Sequence, residues 1–227
     1  MRFVDFKKIP RLSREILVTE KIDGSNGQIA IIPSDSEDFI GCEDGFVEQC
    51  CLANKQIDET KWLYIFAGSR NRWLSTGKQN DNHAFAYWVK ENAEELFQLG
   101  PGRHFGEWYG KGIQRGYGIE EKRWALFNVS KWAKRNNGVY LNDLREKTNN
   151  PKLEYCPNCC EVVPILYEGM FDTQMIDIVL HQLEREGSRA VPGYFDVEGV
   201  CIFHTASGQY FKKTIVGDDK PKGVTNG

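Results

Sequence analysis

The 227-residue sequence lacks a basic surplus. Lys and Arg number 29 against 32 Asp and Glu, a formal net charge of −3. Strong nonspecific nucleic-acid binders usually carry a positive excess, so any such contact must come from a local patch. No apolar run approaches the roughly 20 residues needed to cross a bilayer. The first residues, MRFVDFKKIPRLSRE, lack the apolar stretch of a signal peptide. A cytoplasmic chain, of a cell or a virus-infected host, without a membrane partner is expected. The cysteines number seven, an odd count with Cys50 and Cys51 adjacent. That is a poor disulfide framework and fits a reducing compartment. Cys156, Cys159 and Cys160 include one zinc-like C-x₂-C half. Cys42, Cys50, Cys51 or a histidine would have to complete four ligands, and buried thiols are the favoured reading. There is no internal repeat and no low-complexity stretch. What is present, 41% hydrophobic and 27% charged residues, is ordinary for a soluble globular protein of one large or two small domains.

The segment from Ile16 to Ile32 alternates and is rich in Ile and Val. It reads as a strand, a turn at Asp23-Gly24 and a returning strand. Residues 33 to 60 read as a polar surface excursion, and Leu63 to Ala67 as a strand. Phe85, Trp88, Ala93, Leu96 and Phe97 fall near helical spacing, predicting a helix over 82–99 that stops at Gly100-Pro101-Gly102. His104 to Tyr109 and Arg123 to Val129 read as strands. A second helix is expected over 173–187, capped near Asp172 or Thr173, with Ile176, Val179, Leu180 and Leu183 on one face. Strands over 195–204 and 209–216 join at Ser207-Gly208. Helices interspersed with hairpins, without regular βαβ alternation, predict an α+β fold built on antiparallel sheet.

Four segments carry candidate chemistry. In Glu20-Lys21-Ile22-Asp23-Gly24-Ser25-Asn26 a lysine ends an apolar strand before a turn signal. A lysine attacks phosphorus only when neutral, so it needs desolvation or a nearby cation. The carboxylate of Asp23 could hold a hydrated Mg²⁺ that serves as that cation. A charged surface hairpin is the competing reading. Phe105 to Gly110, followed by Lys111 to Gly118, places an acid, Glu107, between aromatics, with glycines that let backbone approach a ligand. Glu198 precedes Gly199 inside an apolar strand, where a buried carboxylate must be paired or bind metal. Of the adjacent Lys212 and Lys213, alternation lets only one point into a given pocket. Lys212 shares its face with Tyr210 and Thr214, the more polar side, which favours it.

Taken in order, these segments resemble the covalent nucleotidyltransferase superfamily of ATP-dependent ligases and mRNA capping enzymes. Lys21 to Asn26 matches its KxDGxN motif, and Ser69-Arg70 resembles the arginine-bearing motif. Phe105 to Gly110 matches the third motif, Trp124 to Asn128 the aromatic segment after it, Glu198-Gly199-Val200 the fourth, and Lys212-Lys213 the fifth. Asn26 and the Gly110–Gly118 run resemble the RNA ligase 2-like branch. The resemblance implies an ATP-grasp-like nucleotidyltransferase domain with antiparallel sheets flanked by helices. It implies an ATP-dependent RNA ligase that joins 5′-phosphate and 3′-hydroxyl ends through a lysyl-AMP and an adenylylated 5′ end.

By the same resemblance Lys21 is the nucleophile and Lys212 neutralises the α-phosphate. Glu20, Ile22, Asn26, Arg70, Glu107, Phe127, Glu198 and Lys213 line the nucleotide, with Glu107 on the ribose, Phe127 stacked on adenine and Glu20 reading its amino edge. Asp23 and Glu198 hold Mg²⁺ or Mn²⁺. Three features depart from the pattern. Asn128 stands where the branch has aspartate. The fifth motif places Thr214, not a second lysine, on the Lys212 face. The chain ends about fifteen residues after Lys212. An adenylation domain over 1–216, a flexible tail over 217–227 and no OB-fold or C-terminal RNA-binding domain are therefore expected. An accessory protein would stand in for the latter. Candidate RNA contacts are Arg2, Lys7, Lys8, Arg11 and Arg14, with Lys131, Lys134 and Arg135. The alternatives are a DNA or mixed-polynucleotide ligase, a capping guanylyltransferase, or a nucleic-acid-binding protein that keeps the fold without sealing.

Overall fold

The computed structural model of the chain describes residues 2–35, 50–135 and 140–218. Cys42 and most of the expected tail lie outside the described residues. The fold is mixed α+β, as expected, and divides into two compact units, residues 1–22 with 164–227 and residues 23–163. The division falls inside the KxDGxN segment, between Ile22 and Asp23.

The strands in chain order are β1 (Glu15–Lys21), β2 (Ser25–Ser34), β3 (Cys51–Gln56), β4 (Trp62–Gly68), β5 (Trp73–Leu74), β6 (Gly102–Gly110), β7 (Lys122–Leu126), β8 (Trp132–Ala133), β9 (Glu154–Tyr155), β10 (Glu161–Val162), β11 (Ile165–Met170), β12 (Gly199–His204) and β13 (Gln209–Thr214). The helices are α1 (Phe85–Glu91), α2 (Ala93–Leu96), α3 (Leu141–Lys147) and α4 (Thr173–Glu186).

The first unit is a four-stranded antiparallel sheet in the order β11-β1-β12-β13, with α4. Alternation assigns its faces. Ile16 and Val18 of β1 and Val200 and Ile202 of β12 pack on Ile176, Val179, Leu180 and Leu183 of α4, the helix stripe expected from spacing. The Asp172 side chain accepts from Gln174 N at 2.8 Å and caps α4. The opposite face carries Leu17, Thr19, Lys21, Cys201, Phe203, Tyr210 and Lys212 in register. β12 and β13 form the expected hairpin, with Gly208 at φ 66° in its turn.

Glu20 falls on the helix side of β1 and is buried. Its carboxylate accepts from Ser188 Oγ at 2.5 Å, Arg189 N at 2.7 Å and Ala190 N at 2.9 Å. A buried carboxylate is tolerated only when so satisfied, and these bonds fix the segment that leaves α4.

The second unit is a sheet in the order β10-β7-β6-β2-β4-β3, with β5 beside β4 and a separate β8–β9 pair. All pairings within the larger sheet are antiparallel except β10 with β7. One face packs on α1 and α2 through Ile29, Ile31, Ile65, Phe85, Val89, Leu96, Trp108 and Trp124. Phe85, Trp88, Trp108 and Trp124 pack ring on ring, the Trp88–Trp108 centroids 5.1 Å apart.

Four expectations are corrected. β1 and β2 do not pair as a hairpin: β1 pairs with β11 and β12, β2 with β4 and β6. The single helix over 82–99 is broken at Asn92, whose Nδ2 donates to Trp88 O at 2.8 Å. Such a side chain competes with helix propagation. The excursion over 33–60 contains a sheet strand, β3. Strand β12 starts at Gly199, not at residue 195.

Replacing Glu20 with Ala strands one hydroxyl and two backbone donors. It should lower stability by about 3 kcal/mol or more, read as a fall in the denaturant midpoint. An unchanged midpoint would remove Glu20 from its anchoring role.

Candidate active site

Lys21 is the last residue of β1 and stands on the sheet face away from α4. Its Nζ donates to Glu198 Oε2 at 2.5 Å, with the two side chains 20% and 15% exposed. An ammonium this far from bulk water needs an anionic partner. Glu198 immediately precedes β12, and Gly199 pairs with Lys21 across the ladder. Gly199 has φ 152°, and a Cβ there would lie 2.2 Å from Lys213 O. No other residue fits without displacing β13. The fourth motif thus consists of an acid aimed at the lysine and a glycine that lets three strands close beneath it.

Cross-strand register separates the two lysines by face. Lys212 pairs with Cys201, which pairs with Thr19. Lys212 therefore lies on the Lys21 face and is exposed. Lys213 pairs with Val200 on the helix face, where its Nζ binds Asp177 of α4. Within this unit the structure brings Lys21, Glu198 and Lys212 to one face and leaves Lys213 and the Glu20 side chain on the other. The Glu20 carboxylate, with three donors from 188–190, faces the loop after α4. Ile22 is buried.

In the second unit, the turn that follows Lys21 in the chain is held from three sides. Asp23 N donates to Tyr117 Oη at 2.7 Å. Arg115 Nε donates to Asp23 Oδ2 at 3.0 Å. Gly24 N donates to Glu107 Oε1 at 3.2 Å. A Cβ on Gly24 would lie 2.5 Å from Trp108 O, so only glycine lets the turn lie this close to β6. Tyr117 is buried against Tyr109, edge to face at 5.4 Å. Its φ of 55°, with 44° at Gln114, marks a loop held in a sparsely populated conformation, which surrounding structure must impose.

The sheet face away from α1 then carries two rows. Asn26, Glu107 and Ala125 form one, and Gln28, Phe105 and Gly68 the next. Phe127 N donates to Phe105 O at 2.9 Å, keeping Phe127 in step with that second row. Arg70 is exposed in the turn between β4 and β5, where Ser69 N donates to Arg72 O and Gln28 Nε2 donates to Ser69 O. Asn128 Oδ1 accepts from Ser130 Oγ and Lys131 N, the work an aspartate oxygen would do in that turn.

Sequence reasoning missed Arg115 and Tyr117. Both lie in the Lys111–Gly118 run, read there only as glycine-rich backbone, and the signal available was an arginine and a tyrosine interleaved with those glycines. Other candidates disperse. Cys156 and Cys160 are buried in the α1–α2 core, and burial first of all pushes the Cys156 thiol up to about 11. Among the described residues no three His, Cys, Asp or Glu side chains are placed to hold a metal. Lys134 pairs with Glu161, while Lys131 and Arg135 sit over the rings of Trp132 and Tyr155. Arg2, Lys7, Lys8, Arg11 and Arg14 are exposed. An open hollow lined by Tyr87, Trp88, Trp108, Lys111 and Lys122 contains none of the predicted site residues. No helix among the described residues is long and apolar enough to cross a membrane.

Comparison with known proteins adds the family. No curated protein matches the chain. Among solved structures, a mutant Naegleria gruberi RNA ligase with ATP and Mn is 17% identical at a TM-score of 0.49, over 89% of this chain and 50% of that one. A second mutant of that ligase, with AMP and Mn, is 18% identical at 0.48 with the same coverage. This chain spans about half the length of those it matches. The family model described as RNA ligase matches residues 14–212, a span that opens one residue before β1 and closes on Lys212. The chain belongs to the RNA ligase family.

Proposed function

We propose that the chain is an ATP-dependent RNA ligase in which Lys21 becomes adenylylated and passes AMP to a 5′-phosphate, which a 3′-hydroxyl then attacks. The observation that carries the reading is the Lys21 ammonium, at the end of β1, held 2.5 Å from Glu198 on the face that also bears Lys212. What sets the pair apart from the surface pair Lys111–Glu120 is its burial, with side chains 20% and 15% exposed against 62% and 84%.

Each step is an in-line displacement at phosphorus. In the first, Lys21 loses a proton toward Glu198 and solvent. Its nitrogen then bonds the α-phosphorus of ATP as the bridging bond to pyrophosphate breaks. In the second, an oxygen of the RNA 5′-phosphate bonds that phosphorus and the P–N bond breaks, returning the amine. In the third, the 3′-hydroxyl oxygen bonds the RNA phosphorus, its proton goes to solvent and AMP leaves. Little covalent work falls to the protein, so positioning and charge neutralisation dominate. Lys212 supplies positive charge to the α-phosphate oxygens. Glu107 and Asn26 receive the ribose side, Phe127 the adenine ring, and Arg70 the ribose or the incoming 5′-phosphate.

Asp23 and Glu198 are the carboxylates that would hold Mg²⁺ or Mn²⁺. Their chemistry fits a hard cation with oxygen ligands, and each already faces a cationic side chain, Arg115 and Lys21. A cation held by them would supply positive charge to offset that of the phosphates. Arg115 and Tyr117 act before any ligand arrives, by fixing the Asp23 carboxylate and backbone.

The test is retention of label from α-labelled ATP by the protein in magnesium, followed by sealing of 5′-phosphorylated RNA and DNA. Label should be lost in Lys21→Ala and fall about 10²-fold or more in Lys212→Ala. In Lys213→Ala it should change only a few-fold, since that side chain serves α4. Equal losses in the two variants would reject the assignment by face. RNA sealed in preference to DNA supports the substrate, and the reverse preference transfers the activity to DNA.

A second prediction follows from the clamp. Tyr117→Phe removes the acceptor of Asp23 N and should slow adenylylation about ten- to hundred-fold, with little change in thermal midpoint. A wild-type rate in that variant would leave Tyr117 with a packing role only.

A further inference from the structure

The sheet face that carries Lys21 does not end at Lys212. One register row further on, Phe203 of β12 pairs with Tyr210 of β13. Their rings lie 4.7 Å apart, tilted by 39°, and Tyr210 is 67% exposed. Two residues advance a strand by about 6.6 Å. The rows therefore run from the nucleophile at Lys21–Gly199 to the cation at Lys212–Cys201 and on to the aromatic pair at Phe203–Tyr210. The pair stands about 13 Å from the row of the reacting amine.

A ring as exposed as that of Tyr210, beside the half-buried Phe203, has a cost in water that a packed one does not, and nothing in the adenylylation step as described uses it. Aromatic faces take unpaired bases irrespective of sequence, and a neighbouring cation takes the phosphate between them. This also answers the net charge of −3. A polynucleotide held by stacking with one or two phosphate contacts needs no basic surplus. Its path is that of a strand whose terminal phosphate must reach Lys21.

We propose that Tyr210, supported by Phe203, is a stacking subsite for the bases next to the 5′-phosphate of the RNA strand, with Lys212 bridging to its backbone. The assignment rests on the reading of Lys21 as the adenylylated nucleophile, because that is what brings a 5′ end to this face. A single-stranded 5′-phosphorylated RNA is the ligand, and the subsite is indifferent to base identity.

The experiment titrates a fluorescent 5′-phosphorylated RNA oligonucleotide into wild-type, Tyr210→Ala and Tyr210→Phe proteins at low and at high salt, reading anisotropy. Loss of one stacked base should raise Kd about tenfold in Tyr210→Ala, and the phenylalanine variant should bind as wild type. Stacking is not screened by ions, so the ratio between Tyr210→Ala and wild type should be the same at both salt concentrations, while every absolute affinity falls with salt. Equal affinity of Tyr210→Ala and wild type overturns the subsite, as does a defect that Phe fails to rescue. Lys21 adenylylation, assayed on the same preparations, reports the nucleotide step separately. A defect in Tyr210→Ala confined to that step would place the ring on ATP and also overturn the proposal. Absence of the adduct from wild type would instead reject the reading of Lys21 while leaving the binding result to stand.

Discussion

An ammonium at the end of a half-buried strand requires an anion, and here the anion is Glu198, 177 residues away in sequence. Everything proposed for the first unit depends on that pair. β1 lies between β11 and β12, so its last residue cannot shift without breaking two ladders. Glu20 and Lys21 use the alternation of that strand in opposite senses. The Glu20 side chain, on the helix side, binds residues 188–190. Lys21, on the other side, binds Glu198. Both contacts fall on the connection from α4 to β12, which is thereby tied at its start and its end to neighbouring residues of one strand. A charged pair of this kind is costly to desolvate.

The second unit contributes a preorganised turn. Three donors and acceptors from β6 and the loop after it fix Asp23 and Gly24. The Lys111–Gly118 run, with Glu107 of β6, is in space what holds the turn at Asp23 and Gly24. Preorganisation is economical for phosphoryl transfer, because aligning the groups beforehand removes that cost from the barrier. The left-handed backbone at Gln114 and Tyr117 is the strain spent on it.

What the sequence made legible was what period and parity encode. The α4 stripe follows from helical spacing, the β12–β13 hairpin from its turn residues, and the placement of Lys212 and Lys213 on opposite faces from strand alternation. What it hid were partnerships between distant elements. Nothing near Glu20 announces that Ser188 and two backbone amides will bond its oxygens. Nothing in Asp23-Gly24 says whether the flanking strands pair with each other or enter different sheets, since a turn signal is the same in both. The break at Asn92 lay inside a good helical pattern, because one side chain's competition for a carbonyl is invisible to hydrophobic spacing. Arg115 and Tyr117 were masked by the glycines around them.

The measurement that bears most directly on the account is the position of the nucleotide on the chain. After incubation with ATP and magnesium, the protein is digested under conditions that preserve phosphoramidates and its peptides are mapped by mass. The account predicts a single AMP adduct, on the peptide that contains Lys21. An adduct on Lys212, Lys213 or any other residue, or a folded protein that takes up no AMP at all, would contradict it.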